Sequence, residues 1–76
     1  SFAIAWSIAH GVLRENGLDD ALMFDKGAIA VLSVYSPRIM QRTAEKAISA
    51  AFEAGRSKIG EVELWAQLDD DATQLH

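Results

Sequence analysis

Apolar positions along this chain follow two patterns, and each predicts a different kind of element. In the first pattern they recur at helical spacing. From Phe2 to Glu15, the residues Phe2, Ala5, Trp6, Ala9, Val12 and Leu13 share one face, and Ile4 and Ile8 widen it. That spacing predicts a helix buried over most of its circumference, with Trp6 in the core, and Asn16-Gly17 is a natural stop. Ser36-Pro37 supplies a capping hydroxyl followed by proline at the first helical position. Beyond it Met40, Ala44, Ala47, Ile48, Ala51 and Phe52 mark a second helix, closed by Gly55. Gly11, inside the first helix, suggests close packing against a neighbour, since glycine there costs about 1 kcal/mol relative to alanine.

The second pattern suits strands. Ala28 to Tyr35 is an unbroken apolar run, as in a strand buried on both faces. Glu61 to Leu68 alternates, with Val62, Leu64, Ala66 and Leu68 set against Glu61, Glu63, Trp65 and Gln67. Period two of this kind predicts a half-exposed strand. Ala21 to Phe24 is a short apolar run separated from the Ala28 run by Asp25-Lys26-Gly27, which suits a hairpin turn. A short helix from Asp19 to Asp25 is the competing reading. Asp69-Asp70-Asp71 ends the Glu61 strand, and Ala72 to His76 returns either as an edge strand or as a frayed tail.

The expected fold is therefore α+β in the order α-β-β-α-β-β: two helices on one face of a small, mainly antiparallel sheet. A ferredoxin-like sandwich in circularly permuted order is similar in outline. Gly17 and Gly55 stand 38 residues apart (55 − 17), each ending a helix before a hairpin, so a duplicated helix-hairpin unit is conceivable. The segment from Ala28 to Leu68 superficially resembles the short tautomerases. Their base is an N-terminal proline; none heads this strand, and Pro37 has its ring nitrogen locked in an amide.

With 76 residues the chain forms one domain, 1-76, near the lower size limit for a self-sufficient core. It has no cysteine, so neither a disulfide nor a thiolate-bound metal supplements that core, and a reducing, cytoplasmic setting is expected. The formal net charge of -4 argues against nonspecific binding to a phosphate backbone. No segment approaches the roughly 20 apolar residues that span a bilayer. Phe2 to Leu13 lacks the basic flank of a signal peptide, and the chain begins at Ser1, which leaves room for an upstream segment.

Half of the residues are hydrophobic, more than two helices would cover on the expected sheet. Ile29, Val31 and Tyr35 would lie on its second face, and Trp65 on the polar side of its strand. These four are the expected interface residues, and a homodimer or another protein partner the expected cover. Exposed aromatics on a sheet also stack bases, but Glu61 and Glu63 flank Trp65, so protein contact is favoured over nucleic acid.

Little else carries chemistry. Arg38, Arg42 and Lys46 lie four residues apart on one ridge and form a candidate site for an anionic ligand, against the plainer reading of a solvated face. The three aspartates lack the spacing of a calcium loop. The two histidines, His10 and His76, make no local metal motif, and His10 has no nucleophile signature beside it. The glycines form no phosphate-cradling cluster. We expect no catalytic residue, metal or cofactor. The expected function is a small, non-enzymatic oligomerising module. The alternative is a binding protein or simple enzyme for an anionic ligand, with Trp65 and Tyr35 lining a pocket at the subunit interface.

Overall fold

The computed structural model describes residues 1–68 and contains helices with one minimal pair of strands. In chain order these are α1 (Phe2–Glu15), β1 (Met23–Phe24), α2 (Lys26–Leu32), α3 (Pro37–Glu53), β2 (Lys58–Ile59) and α4 (Glu61–Trp65). The class is mixed α and β. The order, however, is α-β-α-α-β-α, and the sheet is two parallel strands rather than a mainly antiparallel one. The break expected at Asp69 to Asp71 and the edge strand or frayed tail expected at Ala72 to His76 lie outside the described residues.

Both long helices form where the side-chain spacing places them. The Ser1 hydroxyl accepts from the Ile4 N–H at the start of α1, and the Ser36 hydroxyl accepts from the Ile39 N–H at the start of α3. Each ends in the same way. Gly17 (φ 66) and Gly55 (φ 69) take the left-handed conformation that glycine adopts without a Cβ penalty. Leu18 N–H then bonds back to the Leu13 carbonyl and Arg56 N–H to that of Ala51, both at 2.9 Å, satisfying carbonyls that lack helical partners.

The apolar run from Ala28 is not a strand. Asp25, read from sequence as part of a hairpin turn, is instead the N-cap of α2, its carboxylate accepting from the Ala28 N–H at 2.9 Å. Ala28, Ile29 and Leu32 are buried, while Ala30 is exposed, which is the distribution of a one-faced helix. A short apolar run bounded by polar residues does not reveal its own periodicity, and here the cap decided the outcome. Ile29, expected at an outer interface, lies in the core at 2% exposure.

Glu61–Trp65 is likewise a helix. The Glu63 carboxylate reaches back to the Gly60 N–H at 2.8 Å, the N3 half of a capping box, the glycine having no side chain to reciprocate. Only Leu64 of α4 is buried; Val62, expected on the same face as Leu64, is exposed, which breaks the expected alternation, and Trp65 is exposed as well. Trp6 is also outside the core at 49% exposure, as are Phe2, Ile4 and Phe52. Gly11 meets no close neighbour: a Cβ there would point into open space.

Beneath the irregular order is a repeat. Helix, left-handed glycine, two-residue strand and short helix occur twice, so the duplicated unit is helix–strand–helix rather than helix–hairpin. Met23 pairs with Lys58 and Phe24 with Ile59, an offset of 35 (58 − 23), against 38 for the two glycines. The three additional residues of the first unit lie in its loop between Gly17 and Met23. α1 packs chiefly on α3 and α2 on α4, so the core from Leu13 and Ile29 through Met40 to Ile59 and Leu64 is shared between the units.

Candidate functional site

α2 and α4 lie side by side because the strands that feed them are paired. Phe24 and Ile59 are register partners, and one residue later each chain segment enters its helix, capped at Asp25 and Gly60. Gly27 faces Glu61 across the contact: a Cβ there would sit 3.5 Å from the Glu61 Cβ, an ordinary van der Waals distance, so the two helices are neighbours without glycine being required. Further along, the helices leave an open groove of about 450 Å3, lined by Gly27, Ala30, Val31, Val34 and Tyr35 on one side and by Glu61 and Trp65 on the other. Its surface is mainly apolar. Val34 is 71% and Trp65 47% exposed, whereas Tyr35 is buried in the wall.

Three of the four residues expected at an interface, Val31, Tyr35 and Trp65, are therefore brought together, though on helices and a connecting turn rather than on a sheet. Ile29 is not among them. Ala30 in α2 and Val34 in the turn after it complete the wall; on the expected strand these two alternate with Ile29, Val31 and Tyr35 and so fall on the opposite face. Only recognition of Asp25 as a helix cap would have put them beside Val31.

A second groove of about 300 Å3 runs between α3 and α4, with a floor of small residues including Ala47, Ala50, Ala51 and Ala54, and Val62 on its wall. At its edge the Arg56 guanidinium stands 3.5 Å from the Glu63 carboxylate. The pair is partly exposed, so its contribution is at most about 1 kcal/mol. Together the two grooves leave α4 attached by Leu64 with an apolar residue exposed on either side.

The basic ridge is elsewhere. Arg38, Arg42 and Lys46 lie along α3 and line neither groove. Lys46 borders a shallow depression shared with Glu45 and Glu53, and Glu45 accepts a hydrogen bond from the Gln41 amide at 3.1 Å. Acidic side chains thus interleave with the cations. His10 donates from Nδ1 to the Trp6 carbonyl oxygen at 2.8 Å and stacks on the Trp6 indole, with ring centroids 4.0 Å apart. Its orientation follows from helix geometry, Trp6 being one turn earlier. Among the described residues no group of three or more His, Cys, Asp or Glu side chains is arranged to hold a metal ion. Nor is any helix among them long and apolar enough to cross a membrane.

Comparison with known protein families, curated proteins and solved structures gave no match. The groove between α2 and α4 therefore has to be interpreted from its own chemistry.

Proposed function

We propose that this chain is a small, non-enzymatic interaction module that associates through the α2–α4 groove, in the first instance with a second copy of itself. The observation that carries this reading is the exposure of Val34 and Trp65 on either side of one apolar groove. Tryptophan combines a large apolar area with few rotatable bonds and is a favoured anchor at protein contacts. Here the groove also provides its own insert. In an isologous dimer the Trp65 indole of each copy enters the groove of the other, so one patch serves as both knob and hole. Burial of such a side chain contributes about 25 cal/mol per Å2 of apolar surface removed from water.

The test is mass in solution for the unaltered chain and for Trp65→Glu. Because Trp65 is half-exposed and Leu64 holds α4 to the core, Trp65→Glu is expected to keep its helical signal and lose the dimer. An assembly unaffected by the substitution, or a chain that stays monomeric at millimolar concentration, refutes the reading.

A second reading is a pocket for a small apolar ligand, favoured by a groove volume within the roughly 300–1,000 Å3 of ordinary ligand sites. Its anionic form is less well supported, since Arg38, Arg42 and Lys46 stand away from the groove. Thermal-shift screening separates the two forms: stabilisation by neutral apolar compounds but not by anionic metabolites is the expected pattern for an occupied groove.

A further inference from the structure

We infer that the two helix–strand–helix units of this chain exchange between copies, so that a second copy of the same chain is a partner for each half as well as for the groove. The inference rests on where the packing lies. The most extensive helix contact is α1 on α3 and the next is α2 on α4, and both join one unit to the other; so does the β1–β2 pair. Within a unit, α1 meets α2 and α3 meets α4 less extensively. Each unit has about half of the chain, below the roughly 40 residues at which a single core sustains itself unaided. A unit thus derives its stability from the surface of the other unit, and that surface is the same whether it belongs to its own chain or to another.

What favours the closed chain is the linker. Four residues, Ser33 to Ser36, connect α2 to α3, and a short tether holds the units at an effective concentration in the millimolar range. Two features of this linker suit exchange. Ser36 is already extended (φ −71, ψ 156), as the residue before a proline prefers, and Pro37 begins a new helix instead of continuing α2. Opposing them is Tyr35, buried at 8% exposure, which anchors the linker in its closed path. Opening exchanges the closed path of the linker for an extended one and then restores every inter-unit contact in trans. Groove pairing plays no part in this, so the two proposals fail separately.

The experiment uses the full chain carrying Trp65→Glu, which removes groove pairing. One variant adds Leu13→Asp, disabling the first unit, and another adds Leu64→Asp, disabling the second; both leucines are essentially fully buried. Each alone is expected to lose its helical signal. When the two are refolded together at about 1 mM, exchange forms one lobe from two intact units. About half of the native helical signal should return, in a species of twice the chain mass that contains both variants. Failure to recover any helical signal on mixing overturns the inference.

A second measurement guards against either substitution being tolerated. Deleting Ser33 and Val34 halves the linker and removes the turn in which the Tyr35 N–H bonds to the Leu32 carbonyl at 3.0 Å, which disfavours the closed path that Tyr35 anchors. The deleted chain should then be mostly dimeric at concentrations where the parent is monomeric. A folded monomer would overturn the inference; if the deleted chain does not fold, the mixing result decides.

Discussion

At the scale of single residues, Leu64 and Gly11 represent opposite cases. Leu64 is the only buried residue of α4, so the position of that helix depends on it. Leu64→Ala is expected to destabilise the protein by about 2–5 kcal/mol, as in other fully buried leucine truncations. Urea denaturation followed by far-ultraviolet circular dichroism measures this directly, and a loss below about 1 kcal/mol would show that α4 is held by something else. Gly11 has helical conformation, and nothing lies within 4 Å of the place an alanine methyl would take. Gly11→Ala should therefore stabilise by roughly 0.5–1 kcal/mol, through helix propensity alone. Spacing could identify Gly11 as mid-helical, but whether a neighbour required the glycine is a tertiary matter. Residue-scale reading likewise overestimated Trp6, whose indole lies on the flank of α1 against His10 rather than in the core.

At the scale of elements, caps had more influence than hydrophobic pattern. α1 and α3 were legible because their apolar residues repeat over several turns and their ends carry recognisable cap chemistry. α2 and α4 were not, being 7 and 5 residues long, too short for a 3.6-residue period to be distinguished from continuous or alternating apolarity. Their identity rests on Asp25 and on the bond from Gly60 to Glu63. Replacing Asp25 by alanine should cost about 1 kcal/mol, while Asp25→Asn, which keeps a side-chain oxygen at the cap, should recover most of it. Paired chemical denaturation curves test this. Equal losses for the two substitutions would mean that the carboxylate acts through its charge and not as a cap. Val31, Tyr35 and Trp65, three of the four residues that the sequence places on an outer sheet face, instead share a groove between helices. The expectation for them rests on the proportion of apolar residues, which does not depend on the type of element. Ile29 was lost to the core because a helix rotates successive side chains by about 100° instead of alternating them.

At the scale of the whole molecule, the parallel pairing of Phe24 with Ile59 ties one unit to the other. Both side chains are buried, and both precede the short helices that form the groove. The substitutions Phe24→Ala and Ile59→Ala should therefore couple. A double-mutant cycle is expected to give an interaction energy of at least about 0.5 kcal/mol, with additive losses counting against a direct role for the pair. Such coupling is invisible in the chain order, because the two positions are far apart in sequence and each strand has only two residues. The spacing of Gly17 and Gly55 suggests a repeated helix–hairpin; the repeat observed is helix–strand–helix, and its halves meet through parallel strands.

What the chain determines by itself is local: two long amphipathic helices, their hydroxyl caps, their glycine stops and an excess of apolar residues over the surface available to cover them. These follow from contacts within a few residues along the backbone. The tertiary structure decided whether Ala28 to Tyr35 and Glu61 to Leu68 were strands or helices, and which of their side chains reached solvent. Short apolar segments have no strong conformational preference of their own; they take the form that lets one unit close its core against the other.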